Sequence, residues 1–200
     1  NMNMNEVLAN LVSKKLKQRV HPNDDINKSQ SSNDVIPTTI NISCVRAAGD
    51  LSRCFFYLDS KLKKRASEFK NIIKSGRTHL MDAVPITMSQ EIETWRVLLQ
   101  NSFSTLVDAQ EEVLILPIGG TAIGTGLNAP KGFDKKVCIE LNKIYKTKFK
   151  PHSIKSAMIS SQDHILNISS ALLRVSSSIT KICNDLRWMN SGPISGLSEI

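Results

Sequence analysis

The sequence predicts an all-α protein built as a bundle of long helices. Apolar residues recur at steps of three and four along three long segments, and no segment shows the alternation that is typical of a half-buried strand. Hydrophobic residues make up 40% of the 200 residues and charged residues 22%, as in a globular chain with a real core. Aromatic residues are only 5%, so Leu, Ile, Val and Ala must fill that core.

The first predicted helix runs from about Thr38 to Lys74. Gly49 lowers its helix propensity locally without ending it. We place a domain boundary just before this helix, which divides an N-terminal polar region, residues 1–37, from a central helical bundle, residues 38–200. The apolar side of the helix carries Leu51, Phe55, Leu58, Leu62, Phe69 and Ile73.

Two further helices follow. The second is predicted over Met88–Leu116, and Thr87 and Gln90 stand at capping-box spacing at its start. The third ends at Ser191-Gly192-Pro193 and carries a seam at coiled-coil spacing. Because one chain of this length offers few other helices to cover such seams, we expect pairing across subunits. The seam consists of Ile165, Ile168, Leu172, Val175, Ile179, Ile182, Leu186 and Met189.

The charge pattern bears on nucleic-acid binding, and the cysteines bear on metal binding and on the redox compartment. The net charge is +8, with basic blocks at residues 13–19 and 61–65, but no aromatic residues are interleaved for base stacking. Solvated helix faces are therefore favoured over a nucleic-acid site. The four cysteines show no metal-ligand spacing. Because Cys44, Cys54 and Cys183 lie within apolar helical patterns, we expect free, buried thiols in a reducing compartment. No signal peptide or membrane-spanning segment is visible.

Three polar segments between the helices are the candidates for chemistry: residues 20–39, 74–87 and 117–133. In the first, Ser31-Ser32-Asn33 offers hydroxyl and amide donors that can surround a carboxylate without burying a second charge. Helix capping explains the same residues equally well. His21-Pro22-Asn23-Asp24 forms a further polar turn, in which Asp24 closes an Asx turn on the simplest interpretation.

The other two polar segments predict different roles. Thr78-His79 lies in a polar loop, and an imidazole suits general acid–base work near neutral pH, although a single histidine is more often a packed or surface residue. The segment 117–133 contains GGTAIGTGLN, without the strand and βαβ context of a dinucleotide fold. We interpret its glycines as a tight backbone crossing.

Five motifs together resemble the class II fumarase and aspartase superfamily, in order over nearly the whole chain. They are NMNMNEVLAN, HPNDDINKSQSSNDVIPT, GRTHLMDAVPITMSQE, GGTAIGTGLN and KICNDLRWMNSGP. Within the superfamily they favour fumarase, because aspartases tend to have Asn in place of His21, Gln in place of His79 and Thr in place of Ser32.

The resemblance implies a helical homotetramer that interconverts fumarate and L-malate without metal or organic cofactor, with active sites that gather segments from three subunits. It implies a cytoplasmic enzyme of the tricarboxylic acid cycle, or a mitochondrial one if a transit peptide was lost, with no nucleic-acid or membrane partner. Carried over by motif, Ser31, Ser32, Asn33 and Thr78 bind substrate. His79 is the acid–base residue, and His21, Pro22, Asn23 and Asp24 form a second carboxylate site.

Some segments depart from the family pattern. Ile194 stands where the family commonly has Arg, and residues 152–156 replace the family's N-K-F-E-A. The flexible loop that carries the family's serine base is expected after Ile200, so we expect the 200-residue chain alone to be inactive or nearly so. Two other functions stay open at this point: aspartate ammonia-lyase, and a structural relative without catalysis.

Overall fold

The computed structural model describes residues 2–200, and most of them are helical. The helices are α1 (Met2–Leu16), α2 (Ser32–Glu68), α3 (Met88–Val113), α4 (Phe133–Tyr145), α5 (Lys155–Ser160) and α6 (Asp163–Met189), with one π-helical turn at Pro22–Ile26. The strands are β1 (Ile73–Thr78), β2 (Met81–Thr87), β3 (Ile115–Leu116) and β4 (Lys150–Pro151). The predicted all-α class and its long helices are confirmed, and α1, α4 and α5 were not predicted.

Two expectations about α2 were wrong. The helix begins at Ser32 and runs through Pro37, because a proline in the second turn removes only its own backbone bond to Asn33. It ends at Glu68, and the predicted continuation to Lys74 instead becomes the start of β1.

The structure also corrects the expectation that no strands would form. Strands β1 and β2 pair as an antiparallel hairpin with an irregularity between Gly76 and Arg77. A Cβ on Gly76 would lie 2.6 Å from the Val84 carbonyl oxygen, so only glycine fits this close approach. Strands β3 and β4 form a short parallel pair.

The chain divides into two compact units. Among the described residues, unit 1 comprises residues 2–47 and 110–166, and unit 2 comprises residues 48–109 and 167–200. The core of unit 1 lies around Leu116, Ile118, Cys138 and Phe149. The predicted boundary after residue 37 lies inside α2 and stays a prediction.

The core of unit 2 combines side chains from α2, α3 and α6. Phe55 stacks on Phe103 with ring centroids 3.9 Å apart, and the Trp95 indole N–H donates to Asp185 over 2.9 Å. These contacts join α2, α3 and α6, which are the helices that were predicted from their apolar stripes. The buried members of this core are Ala66, Met88, Ile92, Trp95, Leu99, Ile182 and Met189.

The α6 seam is only half covered. Within unit 2, Ile168, Val175, Ile182 and Met189 are buried. Alternating with them, Leu172, Ile179 and Leu186 are exposed to 40%, 38% and 38%. An apolar stripe with a spacing of seven residues therefore stays open along α6.

The cysteines are free thiols, but their burial differs from the prediction. Cys138 is buried, and burial raises the pKa of its thiol to about 11. Cys54 and Cys183 are exposed, because each lies on the face of its helix away from the core of unit 2. The expectation of buried thiols was wrong for these two.

Candidate active site

The start of α2 brings the predicted residues Ser31, Ser32 and Asn33 together, and we call them the α2 wall. The Ser31 hydroxyl accepts the Asn33 backbone N–H at 3.2 Å, so Ser31 caps the helix. The Asn33 side-chain amide donates to the carbonyl of Ala122 at 2.7 Å. This short segment therefore both caps α2 and binds the carbonyl of Ala122.

Asp34 connects the α2 wall to the segment Gly119–Gly126, which we call the glycine loop. One carboxylate oxygen accepts the Ser31 N–H at 2.9 Å. The other accepts the backbone N–H groups of Gly119 and Thr121 at 3.0 and 2.9 Å. Asp34 is completely buried. Asp34 was not among the predicted site residues, although Ser31 and Asp34 stand at capping-box spacing, which could have revealed one of its bonds.

The glycine loop crosses other backbone closely, as its composition predicted. Gly119 and Thr121 have φ angles of 80° and 58°, in the left-handed region. A Cβ on Gly124 would lie 2.2 Å from the Ser156 nitrogen at the start of α5. The loop therefore depends on glycine for its path, and Thr121 tolerates a conformation that is unusual for its residue type.

The α2 wall keeps donors for a ligand. Among the described residues, the hydroxyl of Ser32 makes no hydrogen bond, the Ser31 hydroxyl is used only as an acceptor, and Asn33 uses one of its two amide hydrogens. Ser32 and Asn33 are exposed. Two hydroxyl protons and one amide proton are thus available, which matches the needs of a carboxylate.

Of the α2 wall, Ser31 lines a cavity of about 490 Å³ between the π-helical turn and the glycine loop. Its lining carries no charged side chain. Neutral donors and acceptors in such a cavity suit an anion that brings its own charge. The polar side chains of the lining belong to Asn23, Asn27, Ser29, Gln30, Ser31, Thr121, Thr125 and Asn128.

The predicted second carboxylate site forms the π-helical turn. The His21 imidazole Nδ1 accepts the backbone N–H groups of Asn23 and Asp24 at 3.3 and 3.2 Å. Pro22 occupies the first position of the turn, and Asp25 accepts the His21 N–H at 2.7 Å. His21, Asn23 and Asp24 are exposed, so the turn presents polar groups to solvent while His21 caps it.

Thr78 and His79 lie at the tip of the β1–β2 hairpin in unit 2. Thr78 pairs with Met81, which leaves His79 and Leu80 as the two turn residues. Their φ angles are 51° and 61°, and non-glycine residues rarely adopt such values. His79 is exposed and Leu80 is exposed to 72%. Strained backbone of this kind often occurs at functional sites.

The base of the hairpin is held by ion pairs. Lys74 contacts Glu91, and its Nζ lies 3.0 Å from Glu199. Arg77 lies 2.7 Å from Glu199 and 3.3 Å from Asp82. The hydrogen bond to Glu199 raises the pKa of Arg77. Burial alone would raise the pKa of Glu199, but hydrogen bonds from Arg77 and Lys74 outweigh it and lower that pKa. Sequence reasoning did not predict this network.

The structure thus groups the predicted site residues by unit. His21–Asp24 and the α2 wall belong to unit 1, whereas Thr78 and His79 belong to unit 2. Across residues 2–200, no group of three or more His, Cys, Asp or Glu side chains is placed to hold a metal ion. Over the same residues, no helix has both the length and the apolarity needed to span a membrane.

Comparison with known proteins gives a consistent family. A family model described as "Lyase" matches residues 1–200. A class II fumarate hydratase from Ralstonia nicotianae is 44% identical over 207 residues, which cover all of this chain and 45% of that protein. One from Bacillus subtilis is 40% identical over 206 residues, again covering 45% of its length. The chain therefore spans less than half of each of these relatives.

Solved structures agree with the sequence relatives. A class II fumarase from Schistosoma mansoni superposes with a TM-score of 0.95 at 35% identity, over 98% of this chain and 46% of that one. A fumarate lyase:delta crystallin structure from Brucella melitensis, bound to cobalt, gives a TM-score of 0.92 at 34% identity, over 97% and 44%. The arrangement of long helices is thus shared with these proteins.

Proposed function

This chain belongs to the lyase family whose model matches residues 1–200, and from that premise we propose that it is part of a class II fumarate hydratase. The proposed reaction is the reversible hydration of fumarate to L-malate in the tricarboxylic acid cycle. The observation that carries the proposal is the α2 wall, which keeps two hydroxyl protons and one amide proton for a carboxylate.

The proposed dehydration of malate requires hydrogen-bond donors of this kind. Dehydration of malate removes a weakly acidic proton next to a carboxylate, and negative charge builds up on that carboxylate. Preorganised neutral donors stabilise this charge without a cation. We assign substrate binding to Ser31, Ser32, Asn33 and Thr78.

We assign proton transfer to His79, and its strained position at the hairpin tip supports this role. Departure of hydroxide needs an acid that works near neutral pH, and imidazole is such an acid. His21–Asp24, with Pro22 and Asn23 between them, form the proposed second carboxylate site, which is supported by their polar turn and by Asn23, which lines the cavity without charged side chains. No metal or organic cofactor enters the proposed reaction.

We also propose a homotetramer. The open stripe of Leu172, Ile179 and Leu186 on α6 supports it, because a heptad-spaced apolar stripe is stabilised by packing against another helix. Subunits that pair through such stripes could each contribute segments to one site, as the resemblance implies. We propose a cytoplasmic location, and no nucleic-acid or membrane partner.

A substrate panel tests the proposal. The protein as its gene encodes it should interconvert fumarate and L-malate, measured by the absorbance of fumarate, and should not release ammonia from aspartate. Ammonia release in place of malate turnover would identify an aspartate ammonia-lyase. A folded protein that turns over neither substrate would instead fit a structural relative and refute the proposed activity.

A further inference from the structure

Asp34 occupies a special place in unit 1, because its carboxylate connects two distant pieces of backbone. We propose that Asp34 is a positioning residue that fixes the α2 wall against the glycine loop and thereby sets the affinity for the dicarboxylate. The inference rests on the proposed substrate-binding role of the wall. It goes beyond that role because Asp34 itself presents no atom to solvent.

The hydrogen bonds of Asp34 leave it little freedom. Three backbone N–H groups, from Ser31, Gly119 and Thr121, converge on its two oxygens at 2.9–3.0 Å. Among the described residues, Asp34 forms no ion pair with Lys, Arg or His. Its position is thus determined by backbone donors alone, and a change in its acceptor atoms must alter at least one of the two backbone segments.

The hydrogen bond between Asp34 and the glycine loop also affects the α2 wall. Thr121 donates its N–H to Asp34, and the carbonyl of the next residue, Ala122, accepts the Asn33 side-chain amide. The bond to the Thr121 N–H restrains the path of the backbone into Ala122, and the bond to the Ala122 carbonyl sets the direction of the remaining Asn33 amide hydrogen. Asp34 therefore orients a ligand donor that it does not touch.

The variant Asp34→Asn tests this role in the protein as its gene encodes it. Asn has the same shape but only one acceptor oxygen, so its NH₂ group must face backbone N–H donors on one side. We expect the KM for fumarate to rise at least tenfold, with kcat within about threefold of the wild type. The pH profile of kcat should keep its shape, because the proposed acid–base residue His79 lies in the other unit.

Asp163→Asn is the matched control. Asp163 is an exposed carboxylate in the first turn of α6, also in unit 1, and accepts a hydrogen bond from the Ser161 hydroxyl at 2.6 Å. We expect this variant to lower Tm without changing KM. If Asp34→Asn lowers Tm and leaves KM unchanged, as the control does, Asp34 has only a structural role and the proposal is wrong.

Amide hydrogen exchange gives a readout that needs no turnover. In Asp34→Asn either the N–H of Ser31 or the N–H groups of Gly119 and Thr121 should exchange at least tenfold faster than in wild type, and in Asp163→Asn all three should exchange at the wild-type rate. Faster exchange in a protein that does not hydrate fumarate would refute the proposed function and keep the anchoring by Asp34. Unchanged exchange would overturn the anchoring itself.

If Asp34→Asn does not fold, Asp34→Glu carries the same comparison. Glu keeps both acceptor oxygens and moves them by one methylene, so the bonds to Gly119 and Thr121 cannot both keep their length. The same rise in KM and the same faster exchange are expected. Wild-type values of both in the folded Glu variant would overturn the proposal.

Discussion

The α2 wall and the hairpin tip carry the proposed substrate contacts, yet they are fixed in different ways. The wall is held from behind by the buried carboxylate of Asp34, which contacts backbone on both sides. The tip at Thr78–Met81 is exposed, and the ion pairs of Lys74 and Arg77 hold only its base. A rigid wall suits binding, whereas an exposed tip suits a residue that must reach substrate and exchange protons with water.

The largest effect is expected at the hairpin tip. His79→Asn in the protein as its gene encodes it should lower kcat by roughly 10²–10⁴-fold, because a general acid–base residue contributes about that much. Stability should change little, since the side chain is exposed and Asn tolerates positive φ. Turnover and Tm measured on the same preparation check this. A variant that unfolds but keeps its activity per folded molecule would show that His79 has only a structural role.

A substitution in the α2 wall should change KM more than kcat. Ser32→Ala removes one hydroxyl donor, and a hydrogen bond to a charged group contributes about 1.5–3 kcal/mol. We therefore expect KM to rise roughly tenfold to a hundredfold, with a smaller change in kcat. Initial rates over a range of malate concentrations measure both constants. A lowered kcat with unchanged KM would contradict the assignment of Ser32 to substrate binding.

At the hairpin base, Glu199→Gln should lower the free energy of unfolding by about 1–2 kcal/mol at neutral pH, since Arg77 and Lys74 lose a charged partner in a mostly buried setting. Because the pKa of Glu199 is lowered by folding, its contribution is complete above its ordinary pKa and is lost as the pH falls through the folded value. Denaturant unfolding at pH 7 and in acid measures the difference.

A matched control for Glu199 lies on α4. Glu140 forms an exposed pair with Lys143, so Glu140→Gln should change stability by less than about 1 kcal/mol at any pH. An equal loss in both variants would mean that the hairpin base has no special stabilisation.

The smallest expected effect concerns His164, which supports α2 behind the wall. Its Nε2 lies 2.9 Å from the Asn41 side-chain oxygen, and Asn41 donates to the Ile115 carbonyl. Burial lowers the pKa of His164. Protonation therefore favours the unfolded chain, and stability should decrease as the pH falls below about 6.5.

His164→Gln keeps an amide donor for Asn41 and cannot protonate. The variant should show a flatter dependence of Tm on pH between about 5.5 and 7.5 than the wild type. An identical slope in both proteins would assign the pH dependence to other groups.

Some elements were predicted from the sequence more closely than others. The predicted start of α3 is correct and its predicted end lies three residues beyond Val113, and the predicted seam of α6, from Ile165 to Met189, covers all but the first two residues of that helix, because long apolar periodicity is a strong local signal. The β1–β2 hairpin was missed, since Ile73–Thr78 lacks apolar alternation and its turn residues His79 and Leu80 are not typical turn formers.

The predicted site residues show the same difference between local and long-range signals. The wall and the tip were predicted from motifs that are local in sequence, and their roles stay predictions. The role of Asp34 was missed because two of its three donors lie 85 and 87 residues away along the chain. Contacts at that separation leave no periodic pattern in the sequence.

The long separation between Asp34 and Thr121 also orders events during synthesis. A nascent chain that has released Ser31–Asp34 from the ribosome can begin α2, but the carboxylate has only the Ser31 N–H as a donor until residue 121 emerges. Closing so long a loop costs about 4 kcal/mol in its length-dependent entropy. The α2 wall can therefore be completed only after residue 121 has emerged, and a chain stopped before residue 121 carries the proposed binding motif without its orientation.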